Sequence, residues 1–331
     1  MRTNLFKLLF FTDSHYTARN PASRKDTLFI TALEKTKEII NIGIQYNVDV
    51  YLHGGDFFDS PDISDNVAGI VGEVYKEFPK KVIVIPGNHD IRNNNIISLD
   101  QTKLGLLGRL GIVKVLNYGE RIILEKNGKK LQITGSPSDF GINRNKQMFI
   151  LKEKDADVDI AVHMAHAMIL RGDANFGDYV PINEIQNETK ADVTLSGDFH
   201  LGFETVEYQG KYFVNPGAII RKYSFLEEIN RTPQVALITI DNNKKITVEL
   251  IPLSVAKPGN EVLDRSKIIR MREYEAKILE FKQSITTRDS YSTDLLDIVY
   301  YLAKQDKLDE DILQEILKRI NESKKILGII G

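Results

Sequence analysis

The chain contains no cysteine in 331 residues. Disulfides and thiolate metal sites are therefore excluded, and a bound metal ion would have to be held by His, Asp, Glu or Asn. This fits a reducing cytoplasm. Long apolar runs are also missing, and no stretch approaches the roughly 20 residues needed to span a bilayer. The first run, within MRTNLFKLLFFTDSH, is too short for a signal peptide, is broken by Lys7 and lacks a small-residue cleavage site. The expectation is a soluble, unexported protein with no membrane partner. A dominant charge of one sign is lacking as well: 44 Lys and Arg against 46 Asp and Glu leave a net charge of -2. That argues against a generally basic nucleic-acid binder and leaves room for a local basic patch or bound cations. There is no low-complexity tract and no internal repeat. The length suits one large domain with a smaller appendage.

What the chain does have is a series of apolar runs that stop abruptly at polar clusters. Ile83-Val84-Ile85-Pro86-Gly87-Asn88-His89-Asp90 is the clearest. It reads as a buried strand ending at a Pro-Gly turn, which delivers an amide, an imidazole and a carboxylate in succession. Leu5 to Phe11 reads the same way and ends at Thr12-Asp13-Ser14-His15, where period-two alternation would aim Asp13 and His15 to one side. A helix over about Thr27 to Tyr46, a strand over Val48 to Leu52 and a helix over about Ile63 to Phe78 alternate with these runs. The pattern implies a parallel sheet whose binding edge lies at the strand ends. His53-Gly54-Gly55-Asp56-Phe57-Phe58-Asp59 follows the second of these strands.

A helix near Leu99 to Leu110 and strands near Val113, Ile122 and Leu131 come next. Val158 to Ala165 reads as a strand containing His163 and ending at His166. Leu195-Ser196-Gly197-Asp198-Phe199-His200 repeats the arrangement, Tyr212 to Ala218 holds another strand stopping at Pro-Gly, and Gln234 to Ile240 and Ile246 to Ile251 read as closing strands. After a boundary near Lys257-Pro258-Gly259, amphipathic helical patterns cover Glu261 to Gln283, Thr293 to Ala303 and Asp309 to Ile326. The expected division is 1–257 and a helical cap or partner-binding region, 258–331.

All six histidines fall at or beside expected strand ends, together with Asp13, Asp56, Asn88 and Asp198. Hard oxygen donors mixed with imidazoles and no sulfur suit manganese, iron or zinc better than magnesium alone. A carboxylate can bridge two ions about 3.5–4 Å apart, as in two-metal hydrolases.

The motifs FTDSH, GGDFFD, PGNHD, the His after the Val158 strand and GDFH resemble the D-x-H, G-D-x-x-D, G-N-H-D, H and G-H-x-H series of calcineurin-like metallophosphoesterases, in order and spacing over about residues 6 to 220. The resemblance implies an α/β fold with a two-sheet sandwich flanked by helices in four αββα layers. It implies that Asp13, His15, Asp56 and His200 hold one divalent ion, and that Asp56, Asn88, a strand-end His and Asp198 hold the other. His163 and His166, three apart, cannot both point to one strand face, and His166 is favoured because it follows the apolar run as the other ligands do; His163 is then a supporting or core residue, and His53 a structural or supporting one. His89 would contact the scissile phosphate and protonate the leaving oxygen, oriented by Asp59 or Asp90. The chain departs from the pattern at Asp198, where the family usually has His, which bears on metal preference.

FVNPGAII followed by Arg221 is similar to SbcD-type DNA repair and recombination nucleases, bacteriophage counterparts included. That resemblance implies a manganese-dependent 3′–5′ exonuclease and single-strand endonuclease acting on DNA with an SbcC-like coiled-coil ATPase, a homodimer being left open. A phosphodiesterase for a small nucleotide and a non-catalytic scaffold are the alternatives. Arg19, Arg24, Lys25 and Arg221 are the candidate phosphate contacts, with an ordinary solvated basic loop as the other reading.

Overall fold

The computed structural model describes residues 4–172, 174, 177–286, 295–305 and 308–326. It divides into two compact units, Met1–Arg265 and Ser266–Gly331.

The first unit begins with β1 (Asn4–Phe11), α1 (Leu28–Tyr46), β2 (Val50–His53), α2 (Asp65–Lys76), β3 (Val82–Val84), α3 (Lys103–Arg109) and β4 (Lys114–Val115). Next come β5 (Arg121–Lys126), β6 (Lys129–Ser136), β7 (Ile160–His166), β8 (Ile169–Leu170), β9 (Val180–Pro181), α4 (Ile182–Ile185) and β10 (Val193–Gly197). It closes with β11 (Phe203–Tyr208), β12 (Lys211–Asn215), α5 (Leu226–Asn230), β13 (Gln234–Asp241), β14 (Ile246–Pro252) and α6 (Gly259–Val262). Two six-stranded sheets result, in the orders β14-β13-β1-β2-β3-β4 and β11-β12-β10-β7-β6-β5. Each has four parallel strands, β1 to β4 in one and β6, β7, β10 and β12 in the other. Antiparallel strands complete the edges.

Burial on both faces explains the unbroken apolar runs. In β1, Phe6, Leu8 and Phe10 enter a cluster with Leu52, Ile83, Leu131, Ile133, Val162, Met164 and Leu195, the interior between the sheets. Leu9 and Phe11 point the other way, into a cluster with α1 and α2. The outer face of the second sheet, at Ala165 and Phe213, is covered by Ile142, Phe149, Ile182 and Ile185. The layers are thus helix, sheet, sheet and helix. Ser64 caps α2 by accepting from the Val67 amide at 3.3 Å, a contact of about 1 kcal/mol. Strand β11 has no counterpart in the expected elements; its sequence FETVEY puts Glu204 and Glu207 in an edge strand, which blurs the apolar signal.

The first unit runs past the boundary expected at 257/258. Val262 and Leu263 are buried, the Lys25 amide donates to Val262 O at 3.0 Å, and the Asp264 amide donates to Ser23 O at 2.7 Å. These bonds tie the segment after Pro258 to the loop before α1. The second unit comprises α7 (Ser266–Thr286), α8 (Leu295–Gln305) and α9 (Glu310–Ile326). Leu313 and Leu317 of the expected apolar stripe pack on Ala303 and Val299, while Ile312 is exposed. The expected start of α8 at Thr293 lies outside the described residues. No helix among the described residues is long and apolar enough to cross a membrane.

In α1 the buried residues Leu28, Ala32, Lys35, Thr36, Ile39, Ile40 and Gly43 recur at helical spacing, so Lys35 lies in the apolar stripe. Burial, followed by the nearby Arg221, Arg231 and Arg24, pushes its ammonium down to about 7. The unfolded chain therefore binds one more proton than the folded chain between about pH 7 and 10.5, and stability rises with pH across that window. Relative to Lys35→Met, the wild type should gain about 2–3 kcal/mol between pH 7 and pH 9.5 in urea unfolding. A pH-independent difference would show that Lys35 is not held as a buried base.

Candidate metal centre

The strand ends deliver their polar residues through left-handed backbone turns. Asp13 (φ 55°), His15 (φ 42°), Asp56 (φ 50°) and Asp198 (φ 74°) all adopt positive φ without being glycine. Such conformations cost about 1–3 kcal/mol each and persist only where the surroundings hold them. Here a short ladder does so: Asp13 N donates to Gly55 O at 3.1 Å, His15 N to Asp56 O at 3.0 Å and Tyr16 N to Phe57 O at 3.0 Å. The alternation expected to aim Asp13 and His15 together is thus corrected. β1 ends at Phe11, and a turn brings the two side chains to one place. Gly87 allows the closest approach, because a Cβ there would lie 2.1 Å from both Asp56 N and Asp56 Oδ1.

Two groups form. Asp13, His15, Asp56 and His200 each place one donor atom within 4.8 Å of the others, and Asp56, His166 and Asp198 do the same. Asp56 belongs to both. His15 Nε2 lies 3.0 Å from His200 Nε2 and 3.4 Å from Asp56 Oδ2. His166 Nε2 lies 3.0 Å from Asn88 Oδ1 and 3.3 Å from Asp56 Oδ1, which brings Asn88 to the second group. His166 Nδ1 must donate to Gly54 O at 2.8 Å, since a carbonyl only accepts. Nε2 in turn faces two acceptor oxygens, and although burial opposes its charge, Asp56 beside it raises the imidazole well above its usual range; a cation in place of that Nε2 proton would meet the ring's lone pair.

Electrostatics mark the same atoms. Burial, reinforced by Asp56, raises Asp13 to about 8. Burial also raises Asp198. Asp56 goes the other way: burial opposes its charge, but His166 and His15 beside it hold it well below the usual carboxylate range. His200 and His15 are both lowered, chiefly by burial. Three carboxylates and facing imidazole nitrogens, shut away from water, form a donor set short of positive charge. They fit divalent cations, which would replace the shared protons. Oxygen and imidazole donors without sulfur accord with manganese, iron or zinc.

The neighbouring residues take roles partly different from those expected. His89 is oriented by the backbone carbonyl of Asp59, which accepts from Nδ1 at 2.8 Å; the Asp59 carboxylate is 3.9 Å away. That carboxylate instead pairs with Lys222 and stands 3.3 Å from His15 Nδ1. Burial opposes its charge, yet His15 and Lys222 hold it at about 2. Asp90 does not orient His89 either. Fully buried, it accepts from Phe58 N at 2.8 Å, Gly87 N at 2.9 Å and Phe57 N at 3.0 Å, clamping the GDFF and PGNHD loops together. His53 accepts from Gly55 N at Nδ1 (3.2 Å) and so donates from Nε2 to Ser14 Oγ (2.7 Å). His163 faces away from the cluster, bonded to Thr134 Oγ1 and Ser136 Oγ. Burial lowers these two imidazoles to about 3 and about 4.

Two expected phosphate contacts are corrected. Arg24 is buried, donating to Arg221 O at 2.9 Å and paired with Asp26 at 2.6 Å. Arg221 is buried too, donating to Arg231 O and Lys257 O at 2.6 and 2.7 Å. Both guanidinium groups staple loops and are unavailable to a ligand. Lys25 is exposed but donates to Asn260 O at 2.9 Å, while Arg19 is exposed on the loop after His15. Lys222, which follows Arg221 in the run IIRKY, is half-buried against Asp59, and Asn143, which no motif of the sequence marked, donates to Asp198 Oδ2 at 3.3 Å.

A sequence profile of the calcineurin-like phosphoesterase family matches residues 6–202, more than half of the chain. The chain belongs to this family. Among solved structures it is similar to the calcineurin-like phosphoesterase YfkN from Bacillus subtilis, with 13% identity over 84% of this chain and 99% of that one and a TM-score of 0.47. It is also similar to a dimetal phosphatase from Danio rerio (10% identity, 76% and 100% coverage, TM-score 0.48). GAP50 of Plasmodium is a third relative in shape (11%, 77% and 87%, 0.49). As a calcineurin-like phosphoesterase, the chain is a metal-using hydrolase, and its clustered donors could hold divalent ions.

Ions held in such a site supply charge neutralisation at phosphoryl oxygens and a water of lowered pKa. Loss of one Asp90 acceptor oxygen leaves an amide group facing backbone N–H donors, so Asp90→Asn should cost about 2–4 kcal/mol in urea unfolding. Unchanged stability would show that the clamp is dispensable. Asp198→Asn should weaken one of two manganese binding events in calorimetric titration, whereas Asp198→His should retain both. Two unaltered events in Asp198→Asn would remove Asp198 from the ligand set.

Proposed function

We propose that this phosphoesterase is a manganese-dependent DNA nuclease, a 3′–5′ exonuclease and single-strand endonuclease of a repair or recombination complex. The observation that carries the reading is the form of the site. A cleft of about 410 Å3 opens at Asn88 and Asp198 and continues along the loop Ser138 to Arg144, well beyond the space a phosphate group fills. The motif order through FVNPGAII supports the same assignment. Cleavage independent of base identity requires only contacts to phosphate and sugar together with the metal centre, which suits a cleft without a closed specificity pocket.

Within this reading each residue has a task. His89 is half-exposed, and its Nδ1 is committed to the Asp59 carbonyl, which leaves Nε2 to deliver the proton to the leaving oxygen. Lys222 places a cation at the edge of the ligand group, and Arg19 another on the loop after His15. Duplex ends must be opened by another chain, since the sequence has no phosphate-binding P-loop; an SbcC-like ATPase fits that need.

An assay with manganese on linear duplex DNA, single-stranded DNA, cyclic nucleotides and a chromogenic phosphodiester separates the alternatives. Single strands should be cut, and His89→Ala should lower the rate roughly 100-fold or more while manganese binding persists. Turnover confined to cyclic nucleotides or the chromogenic ester would replace the nuclease reading with a small-substrate phosphodiesterase. Absence of any turnover would leave a scaffold.

A further inference from the structure

Among the described residues of Met1–Arg265, three Phe or Tyr side chains are exposed: Phe140 at 81%, Phe225 at 57% and Tyr223 at 44%. Most aromatic rings of this unit are buried, as their large apolar area favours. All three exposed rings stand at the metal centre. The Tyr223 ring lies nearly parallel to that of His200, centroids 5.9 Å apart at 24°, and Phe225 follows at 5.7 Å and 32°. Phe140 lines the cleft that starts at Asn88 and Asp198. His200 belongs to one ligand group, and Asn88 and Asp198 to the other. Each group therefore has its own exposed aromatic lip.

Neither lip hangs on a free loop. Ser138 N donates to Pro86 O at 2.9 Å, and Asn143 joins Asp198 to the Met168 amide, so Phe140 rides on backbone pinned at both sides. Tyr223 follows Arg221 and Lys222, whose side chains are fixed on Arg231 O, Lys257 O and Asp59. Lys222 Nζ also stands 6.0 Å from the Tyr223 centroid, setting a cation beside the ring. Exposed rings with a cation beside them are elements that hold single-stranded nucleic acid: bases stack on rings irrespective of sequence, while a cation meets the backbone.

We propose that Tyr223 and Phe225 on one side and Phe140 on the other are stacking surfaces for the bases that flank the scissile phosphate of a single strand. This rests on the nuclease reading and specifies its substrate as an unstacked strand whose bases leave the duplex before cleavage. Stacking on both sides holds the phosphate between them over the two ligand groups, which makes these rings positioning residues.

The test uses the full chain with manganese and a short phosphorothioate strand carrying 2-aminopurine at successive positions. Wild type should change the aminopurine fluorescence at positions flanking the bound linkage. Tyr223→Ala, Phe225→Ala and Phe140→Ala should each weaken binding roughly tenfold to hundredfold, and raise KM for the ordinary strand rather than lower kcat. Tyr223→Phe should restore affinity, which excludes a folding defect as the cause. An abasic nucleotide at the stacked position should weaken wild type by a similar factor and the matching Ala variant little further. If wild type cuts strands while the Ala variants bind normal and abasic strands as wild type does, the stacking assignment is wrong and the nuclease reading stands. If wild type neither binds nor cuts any strand yet hydrolyses the chromogenic ester, both are wrong.

Discussion

The site is organised by a carboxylate that has almost no water around it. Asp56 is 1% exposed and carries its charge because the His89 amide donates to it at 2.9 Å and because His15 and His166 stand at 3.4 and 3.3 Å. An isolated buried charge would cost several kcal/mol, so the surrounding groups are required as much by folding as by chemistry. Asp90 holds the two loops that meet at Asp56, Gly87 lets them close, and the turn at Asp13 and His15 is laddered onto the same segment. Removing any of these loosens the position of the one residue common to both ligand groups.

Much of this was legible in the sequence. Unbroken apolar runs marked strands buried on both faces, and polar clusters at their ends marked the binding edge. The ordered motifs identified the ligand candidates that the structure brings together. Other features were not legible for definite physical reasons. A left-handed turn has no periodicity, so the path that brings Asp13 to His15 could not be read from alternation. A backbone carbonyl carries no residue identity, which hid the part of Asp59 that holds His89. Arginine looks alike in a sequence whether it faces water or saturates buried carbonyls; Arg24 and Arg221 do the latter. The segment after Pro258 changes composition at once, but its bonds to Ser23 and Lys25 keep it with the first unit as far as Arg265.

The carboxylate at position 198 alters the charge of the centre. With Asp13 and Asp56 it makes three acidic groups, where an imidazole at that place would leave two. A more anionic set neutralises more of the charge of two divalent ions and shifts the donor balance toward oxygen, the preference of harder ions. Asn143 compensates locally by donating to the Asp198 carboxylate, so this replacement is integrated into the hydrogen bonding of the cleft.

The two ligand groups draw on both halves of the sandwich. Asp13, Asp56 and Asn88 follow strands of one sheet; His166, Asp198 and His200 end or follow strands of the other. The spacing between the sheets is therefore also the spacing across the metal centre. Interior side chains such as Ile83, Ile133 and Met164 act at a distance as spacers, setting by their volume how far apart the two rows of donors stand. Close packing transmits a change of volume, so a methylene gained or lost between the sheets would reach the donors without touching any of them.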